Sequence, residues 1–286
     1  MKGIVLAGGT GSRLWPITRS VSKQLLPVYD KPMIYYPIST LMLAGVREIL
    51  IITTPHHQSQ FKELLGDGSE LGVSFQYATQ PEPKGLAEAF ILGEEFLSGD
   101  SCLMILGDNI FHGPGLGRDI TRDLPESGGH IFTYEVSNPS DYGVLELGRS
   151  GEPVSITEKP TEFISNLAVT GVYFFDGRVS EIAKGVQPSK RGELEITSVI
   201  DFYLKAGSLT FTHLSRGVAW LDTGNPDSLN DAAAYVRIIE DRTALKIACL
   251  EEISLAQGWI TQTQLISRID QYKMNSYATY LQRLIK

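Results

Sequence analysis

The sequence is poor in several features that would mark common classes of protein. Its 286 residues include only two cysteines, Cys102 and Cys249, and each lies in an apolar stretch. Two cysteines are too few for a disulfide-built scaffold and fit reduced thiols, so we expect a cytoplasmic protein. No apolar run approaches membrane-spanning length, and the apolar stretch at residues 3–7 is too short for a signal peptide.

Basic residues are scarce as well. Lys and Arg number 25 against 33 Asp and Glu, which gives a formal net charge of -8. Nucleic acids and anionic membranes attract an excess of positive charge, so neither is expected as a partner. An anionic substrate would need Lys, Arg or a metal ion placed locally. With 42% apolar and 20% charged residues, the chain can bury a full core as one large domain.

Two well-known phosphate-binding loops are also missing. The chain contains no Gly-Lys pair, which a P-loop requires, and an ATPase of that type is therefore excluded. Residues 8–14 (GGTGSRL) partly match a dinucleotide-binding fingerprint, but Leu14 stands where the third glycine belongs. Pro16 then prevents a helix from opening at once, which weakens that interpretation further.

A glycine-rich loop nevertheless follows the first apolar run. Glycine backbones turn tightly and approach a ligand closely, and their amides can point at phosphate oxygens. The arginine that follows adds a fixed positive charge. A glycine-rich turn without a ligand explains the local composition nearly as well. The candidate phosphate-binding residues are Gly8, Gly9, Thr10, Gly11 and Arg13.

Strand-like and helix-like segments alternate through the first 106 residues. The segment 46–53 is too continuously apolar for a strand wetted on one face. This alternation predicts an α/β fold, with a mostly parallel sheet covered by helices on both faces. The strand-like segments are 3–7, 46–53, 73–77 and 102–106, and the helix-like segments are 37–45, 58–65 and 86–97.

The rest of the chain divides into short extended segments and then helices. The extended segments predict further strands, some antiparallel, added to the same sheet. Asn225-Pro226 is a good cap and first-turn pair for the first late helix. We therefore expect a core at 1–224 and a helical region at 225–286 of the same domain. The extended segments are 130–136, 143–147, 154–157 and 169–175, and the helices are 227–245, 250–257, 261–269 and 276–285.

Two aspartates occupy positions suited to a metal ion. Ligands of an open α/β sheet bind beyond the carboxyl ends of its strands, and Asp108 directly follows the strand at 102–106. Asp222 lies in the motif WLDTG before the late helices. Carboxylates beside a phosphate loop suit Mg²⁺. An Asx-turn or cap at Asp108 and a turn residue at Asp222 are the alternative explanations.

Two lysines are placed to neutralise phosphate charge. Lys23 lies in SKQLLP, a short distance after Arg13, and Lys159 lies in EKP after the extended segment 154–157. A solvated surface position is the ordinary alternative for any single lysine.

Taken in order, these motifs resemble the sugar-1-phosphate nucleotidylyltransferase family over nearly the whole chain. The stretches DKPMIYYP at 30–37 and LKIACLEE at 245–252 resemble one branch, whose members join dTTP to glucose 1-phosphate. The motifs that carry the family resemblance are LAGGTGSRL at 6–14, SKQLLPV at 22–28, QP at 80–81, GLA at 85–87, GDN at 107–109, EKP at 158–160 and WLDTG at 220–224.

The resemblance implies a Rossmann-like fold of the nucleotide-diphospho-sugar transferase type and a Mg²⁺-assisted reaction. The sugar phosphate would attack the α-phosphorus of dTTP directly, giving dTDP-glucose for dTDP-rhamnose and polysaccharide biosynthesis. The protein's task is then to align two anions and offset their charge. The branch also implies a homotetramer with a second, regulatory dTDP-sugar site near Cys249, Glu252 and Arg216, for which core packing is the rival explanation.

The resemblance assigns a role to each matching residue. Catalysis would fall to Arg13, Lys23, Asp108 and Asp222, with the two aspartates as Mg²⁺ ligands. The nucleotide would contact Gly8, Gly9, Thr10, Gly11, Arg13, Gln24, Gln80, Gly85 and Asp108. Gln80 would offer an amide donor and acceptor to the imide edge of thymine or uracil. The sugar phosphate would contact Tyr142, Gly143, Glu158, Lys159 and Val169.

Three positions depart from the family pattern and leave base and sugar selection open. Trp15 replaces the more usual tyrosine, Lys84 stands where acidic or small residues are common, and Glu88 stands where glutamine is frequent. An enzyme that uses UTP or another sugar phosphate is therefore one alternative. A non-catalytic nucleotide-sugar sensor is another, although a sensor need not keep both of the expected metal ligands.

Overall fold

The computed structural model of the chain describes residues 1–273 and 275–285. In chain order the strands are β1 (Lys2–Ala7), β2 (Pro27–Val28), β3 (Lys31–Pro32), β4 (Glu48–Thr53), β5 (Ser74–Thr79), β6 (Cys102–Leu106), β7 (Asn109–His112), β8 (Gly129–Glu135), β9 (Gly143–Leu147), β10 (Pro153–Glu158), β11 (Leu167–Phe175), β12 (Leu209–His213) and β13 (Ala219–Asp222). The helices are α1 (Tyr35–Leu43), α2 (Gln58–Leu65), α3 (Glu88–Leu92), α4 (Glu94–Leu97), α5 (Leu116–Thr121), α6 (Val179–Gly185), α7 (Ile196–Lys205), α8 (Pro226–Thr243), α9 (Leu250–Ala256), α10 (Gln262–Ile269) and α11 (Ser276–Arg283).

The parallel half of the central sheet is built from the apolar runs near the N-terminus. Strands β5, β4, β1 and β6 lie side by side in that order and are mutually parallel. Val5 on β1 stands opposite Ile51 on one side and Ile105 on the other. All three side chains are buried because helices cover both faces of the sheet. The predicted parallel α/β arrangement is confirmed.

The middle of the chain extends the same sheet with antiparallel strands. Strand β11 pairs antiparallel with β6, and β8 and β9 pair antiparallel with β11. Strand β10 pairs antiparallel with β9 at one edge, and β12 runs parallel to β8. The extended segments therefore join the first sheet, as the sequence predicts. A separate two-stranded ribbon forms from β7 and β13.

Two layers of helices cover the sheet. Helices α1, α2, α5 and α9 pack on one face through Ile38, Phe61 and Leu250. Helices α3, α4, α6 and α7 pack on the other through Phe90 and Tyr203. Side chains of β1 alternate between the two layers, which is the pattern of a strand buried on both faces.

The predicted helix 86–97 is wrong in one respect, because it is two short helices that meet at Gly93. A Cβ at Gly93 would lie 3.2 Å from both Ile4 Cδ1 and Leu50 Cδ2. The backbone therefore approaches the sheet more closely there than a side chain would allow. The sequence analysis also assigned no element to the segments that form α5, α6, α7, β7, β12 and β13.

The late helices lie close to their predicted bounds. The Asn225 side chain accepts a hydrogen bond of 3.0 Å from the backbone amide of Ser228 and caps α8, with Pro226 in its first turn. Val236 of α8 shares a hydrophobic cluster with Met33 of the N-terminal part. No helix among residues 1–273 and 275–285 is both long enough and apolar enough to span a membrane.

Candidate active site

One cleft of about 510 Å³ lies at the carboxyl-terminal edge of the parallel strands. The loops after β1, β5 and β6 open into it, which is where an open α/β sheet binds its ligands. Gly8 lies immediately behind this lining, against the Gln80 side chain. The predicted site residues that line the cleft are Gly9, Thr10, Gly11, Arg13, Lys23, Gln24, Gln80, Gly85, Asp108, Tyr142, Gly143, Glu158, Lys159, Val169 and Asp222.

The glycine loop after β1 is held in a conformation that requires glycine. Gly11 has a φ of 63°, in the left-handed region that glycine adopts without strain. The Thr18 hydroxyl donates a 2.7 Å hydrogen bond to the Gly11 carbonyl and holds the loop in place. A short 3₁₀ turn, Ser12–Leu14, then carries Arg13. The loop therefore presents bare backbone and one guanidinium to the cleft.

Lys23 and Asp108 form an ion pair at the centre of the cleft. The Lys23 Nζ donates to Asp108 Oδ2 at 2.6 Å, and the lysine is buried. Burial alone raises the pKa of Asp108, but the Lys23 charge and hydrogen bond hold it below its ordinary value. Asp108 is therefore ionised at neutral pH, and its charge faces the glycine loop.

Asp222 lies beside Asp108 because β13 pairs with β7. In that ribbon Asp222 stands opposite Asn109, and the Thr223 hydroxyl donates to the Asp108 carbonyl at 2.8 Å. Burial, together with the negative charge of Asp108, raises the pKa of Asp222 to about 6. The two distant aspartates therefore meet, as the metal-site hypothesis requires, and their charges repel.

Arg13 reaches the same place from the glycine loop. A Cβ at Gly224 would lie 3.4 Å from Arg13 Nη1 and 3.3 Å from Asp222 Oδ2. The guanidinium and the carboxylate therefore both pack closely against this glycine. The cleft floor combines two carboxylates with two cations, Lys23 and Arg13.

Asn109 and Trp220 orient the Asp108 carboxylate, and the sequence analysis gave them no role. The Asn109 side-chain amide donates to Asp108 Oδ1 at 3.0 Å. Trp220 Nε1 in turn donates to Asn109 Oδ1 at 2.6 Å. Asn109 directly follows Asp108 in the motif GDN, and Trp220 lies two residues before Asp222 in WLDTG; these positions were the available signal.

The opposite end of the cleft gathers the residues expected to hold the sugar phosphate. Gly143 stands opposite Glu158 in the β9–β10 pair, and the Lys159 amide donates to the Tyr142 carbonyl at 2.9 Å. Burial and the charge of Glu195 raise the pKa of Glu158. These short-range contacts follow from strand pairing and bring a lysine and a carboxylate to one wall.

Arg191 completes that wall, and the sequence analysis missed it. Its guanidinium lies 2.9 Å from Glu195 Oε1 and 3.5 Å from Glu158 Oε1. The segment 186–195 has no regular element between α6 and α7, so periodicity gave no signal for it. The wall therefore holds two cations, Lys159 and Arg191.

Gln80 and Gly85 lie together at a third side of the cleft. Gly85 has a φ of 106°, and a Cβ there would lie 2.4 Å from the Leu194 carbonyl oxygen. Gln80 Nε2 donates to Glu88 Oε2 at 2.8 Å and to the Gly85 carbonyl at 3.2 Å. Gln24, also predicted, accepts a 2.8 Å hydrogen bond from the Ser22 hydroxyl.

The residues expected near a second nucleotide site lie away from this cleft. Arg216 is exposed between β12 and β13. Cys249 precedes α9, and its sulfur accepts a 3.3 Å hydrogen bond from the Tyr277 hydroxyl. Glu252 accepts one of 2.6 Å from the Tyr280 hydroxyl.

Comparison with known proteins gives consistent matches over the full chain. A family model described as nucleotidyl transferase matches residues 2–237. A glucose-1-phosphate thymidylyltransferase of Mycobacterium tuberculosis strain H37Rv is 54% identical over 286 residues, with 100% of this chain and 99% of the relative covered. One from Neisseria meningitidis is 52% identical over 287 residues, with 100% of both chains covered.

Solved structures agree on the fold. A candidate glucose-1-phosphate thymidylyltransferase of Bacillus anthracis, solved with sucrose, superposes with a TM-score of 0.77 at 41% identity, covering 83% of this chain and 95% of that one. A UDP-glucose pyrophosphorylase solved with UDP-glucose gives a TM-score of 0.72 at 26% identity, covering 83% of this chain and 98% of that one.

Proposed function

The chain belongs to the nucleotidyl transferase family, and from this membership we propose that it joins dTTP to glucose 1-phosphate, releasing pyrophosphate. The full-length similarity to enzymes named glucose-1-phosphate thymidylyltransferase supports the choice of substrates. One structural observation carries the proposal: a carboxylate pair with two cations lies beside a glycine loop, and Lys159 and Arg191 line another wall of the same cleft.

The reaction needs alignment of two anions more than it needs a protein nucleophile. An oxygen of the sugar phosphate forms a bond to the α-phosphorus of dTTP. The bond from that phosphorus to the oxygen bridging to the β-phosphorus breaks, and pyrophosphate leaves with the electron pair. The nucleophile is already ionised, so positioning and charge stabilisation supply the catalysis.

Asp108 and Asp222 fit a divalent cation, and we propose Mg²⁺. The donors are hard carboxylate oxygens, and the raised pKa of Asp222 shows that its negative charge lacks full compensation. Among residues 1–273 and 275–285, no group of three or more His, Cys, Asp or Glu could hold a metal. Two protein carboxylates suit Mg²⁺, which takes its other ligands from phosphates and water. Bound there, the ion would offset charge on the phosphate oxygens.

Different residues of the cleft contact different phosphates of the nucleotide. The backbone from Gly8 to Gly11 holds the triphosphate, and Arg13 stabilises the departing pyrophosphate. Lys23 lies 2.6 Å from Asp108 and faces the centre of the cleft, where it offsets charge at the reacting phosphorus. Gln24 stands beside Lys23 in the same short turn and contacts the nucleotide.

The sugar phosphate binds the wall opposite the triphosphate. Lys159 holds its phosphate, and Glu158 and the Gly143 backbone contact glucose hydroxyls. Tyr142 and Val169 border this position, and the Tyr142 ring lies 5.0 Å from the Trp220 ring between centroids. Gln80 and the Gly85 backbone meet the base.

Initial rates of pyrophosphate release test the proposal. The enzyme is supplied with glucose 1-phosphate and Mg²⁺, and dTTP, UTP, CTP, ATP and GTP are compared in turn. We expect the highest kcat/KM with dTTP, and Asp108→Asn lowers turnover by at least about two orders of magnitude. Asp231→Asn, on the exposed side of α8, is the matched control and keeps full activity.

Each outcome of that assay decides something. A preference for UTP would reassign the enzyme within its family. Nucleotide binding without pyrophosphate release from any pair would favour a sensor. Near-normal turnover of Asp108→Asn at saturating Mg²⁺ would remove that residue from the mechanism.

We also propose a homotetramer with a second site for a dTDP-sugar, as the family resemblance implies. Cys249, Glu252 and Arg216 lie outside the catalytic cleft, which is compatible with a separate site. Sedimentation equilibrium measures the assembly. A dTDP-sugar that binds one cleft and one further site per chain would support the proposal, and a single site per chain would contradict it.

A further inference from the structure

We propose that Glu88 determines which nucleobase edge the cleft accepts, because it fixes the side-chain amide of Gln80 with only its carbonyl oxygen free. The inference rests on the proposed function, since it concerns the base of the nucleotide substrate. It assigns a positioning role to a residue that acts through Gln80.

The nitrogen of the Gln80 amide is fully engaged. Gln80 follows β5 and is 3% exposed. Its Nε2 lies 2.8 Å from Glu88 Oε2 and 3.2 Å from the Gly85 carbonyl oxygen. Both partners can only accept, so the atom between them must be the amide nitrogen. An amide nitrogen carries two hydrogens, and these two contacts use both.

The oxygen of the same amide is left for a ligand. Gln80 Oε1 lies at the glycine loop, where a Cβ at Gly8 would come within 2.5 Å of it. Within residues 1–273 and 275–285, this oxygen accepts no hydrogen bond. The expectation that Gln80 offers both a donor and an acceptor is therefore wrong for this structure, which presents an acceptor alone.

An acceptor at this position selects among pyrimidines. Thymine and uracil carry an N3–H donor that can meet Gln80 Oε1. Cytosine carries a lone pair at N3, which would face the oxygen and leave two acceptors opposed. A buried polar group without its partner costs far more than a mismatch in apolar packing.

The carboxylate at position 88 and the Gly85 carbonyl hold this orientation together. A glutamine at position 88 could turn its own amide and donate to Gln80, which would leave only the Gly85 carbonyl to oppose reversal of the Gln80 amide. The reversed Gln80 would present Nε2 to the base and could donate a hydrogen bond to N3 of cytosine. The Glu88 carboxylate offers only oxygen atoms to Gln80 and, unlike a glutamine, has no amide group to turn.

The test compares Glu88→Gln with a matched control. We measure kcat/KM for dTTP and dCTP, which share deoxyribose and triphosphate, at saturating glucose 1-phosphate. In Glu88→Gln the dTTP to dCTP ratio falls at least about tenfold, mainly through a gain with dCTP. The KM for glucose 1-phosphate stays unchanged. Glu95→Gln, an exposed neighbour on α4, keeps the wild-type ratio.

A second variant and a binding measurement keep the outcomes separable. Glu88→Ala removes one acceptor and leaves the Gly85 carbonyl, so its ratio falls between those of wild type and Glu88→Gln. An unchanged ratio in both variants would overturn the inference. Calorimetric binding of dTTP and dCTP is measured in parallel. If wild type released no pyrophosphate, the proposed function would fail, while the binding ratios would still decide the role of Glu88.

Discussion

Two of the clusters of buried charge in this molecule differ in whether the protein itself neutralises them. In the helical region, the fully buried Glu251 carboxylate accepts hydrogen bonds from Arg268 at 2.8 Å and from the Tyr277 hydroxyl at 2.6 Å. In the cleft, Lys23 pairs with Asp108, but Asp222 lies partly buried beside the Asp108 charge, which repels it. The first cluster is closed by its own partners. In the second, the negative charge of Asp222 is left without full compensation.

The pKa shifts separate the two clusters in the same way. Burial raises the pKa of Glu251, but Arg268 and two tyrosine hydroxyls outweigh burial and hold it below its ordinary value. Burial also raises the pKa of Asp222, and the neighbouring Asp108 raises it further, to about 6. Clustered charge alone therefore does not mark a functional site. A buried carboxylate whose charge is uncompensated does.

The closed cluster predicts the largest effect, on stability. Glu251→Gln removes the buried negative charge that Arg268 faces and leaves this mostly buried cation with only the half-exposed Glu70 as an ionic partner. Loss of one member of a buried pair costs about 3 to 5 kcal/mol of unfolding free energy. Chemical denaturation measures that loss. We expect Glu251 to serve stability and not activity. A variant as stable as wild type, or one whose folded fraction has lost turnover, would contradict this.

For the aspartate pair in the cleft, we expect the change in unfolding free energy to have the opposite sign. Asp222→Asn removes a charge that the fold holds at a cost, so without Mg²⁺ at pH 7 the variant is more stable by roughly 1 to 3 kcal/mol. The same change lowers turnover by at least about two orders of magnitude. A variant that lost both stability and activity would show that Asp222 is a structural residue like Glu251.

The added stability of Asp222→Asn should depend on pH in a definite direction. Burial and the Asp108 charge raise the pKa of Asp222 from its ordinary value of 3.8 to about 6 in the folded protein, so between these two pH values the folded state binds more protons than the unfolded state. The wild-type protein therefore loses stability from this group as pH rises from about 4 to above 6. The advantage of Asp222→Asn is largest above pH 6 and vanishes below pH 4.

Lys159 extends the comparison to the other end of the cleft, with a smaller effect. Its side chain is exposed to the cleft, so Lys159→Ala changes stability little. Loss of one phosphate contact raises the KM for glucose 1-phosphate about tenfold, as expected for one charge-assisted hydrogen bond. If only the KM for dTTP changed, Lys159 would belong to the nucleotide side instead.

The sequence predicted those parts of the fold that depend on local pattern. Apolar runs identified β1, β4 and β6, and the Asn225-Pro226 pair identified the start of α8. The break at Gly93 was missed, and the close approach of Gly93 to Ile4 and Leu50, which are remote in sequence, is visible only in the folded structure.

The candidate site also combines features that the sequence predicts with features that depend on contacts formed on folding. Asp108 stands at a strand end and could be found from the sequence alone. Its orientation depends on Asn109 and Trp220, which meet only when β13 pairs with β7. Likewise, the sequence does not reveal which way the Gln80 amide is turned. The structure does, because folding brings Glu88 within hydrogen-bond distance of it.

The smallest predicted effect comes from an exposed ion pair that belongs to neither cluster. Lys184 Nζ lies 2.5 Å from Glu94 Oε1, closer than the 2.8 Å that joins Arg268 and Glu251. Distance alone would therefore rank the surface pair as the stronger one. Both of its side chains are about half exposed, at 49% and 51%, so water and salt screen the attraction. Glu94→Gln should change the unfolding free energy by less than about 0.5 kcal/mol in chemical denaturation. A loss above about 1 kcal/mol would mean that distance, and not burial with complete partnering, sets the contribution of a charge in this protein.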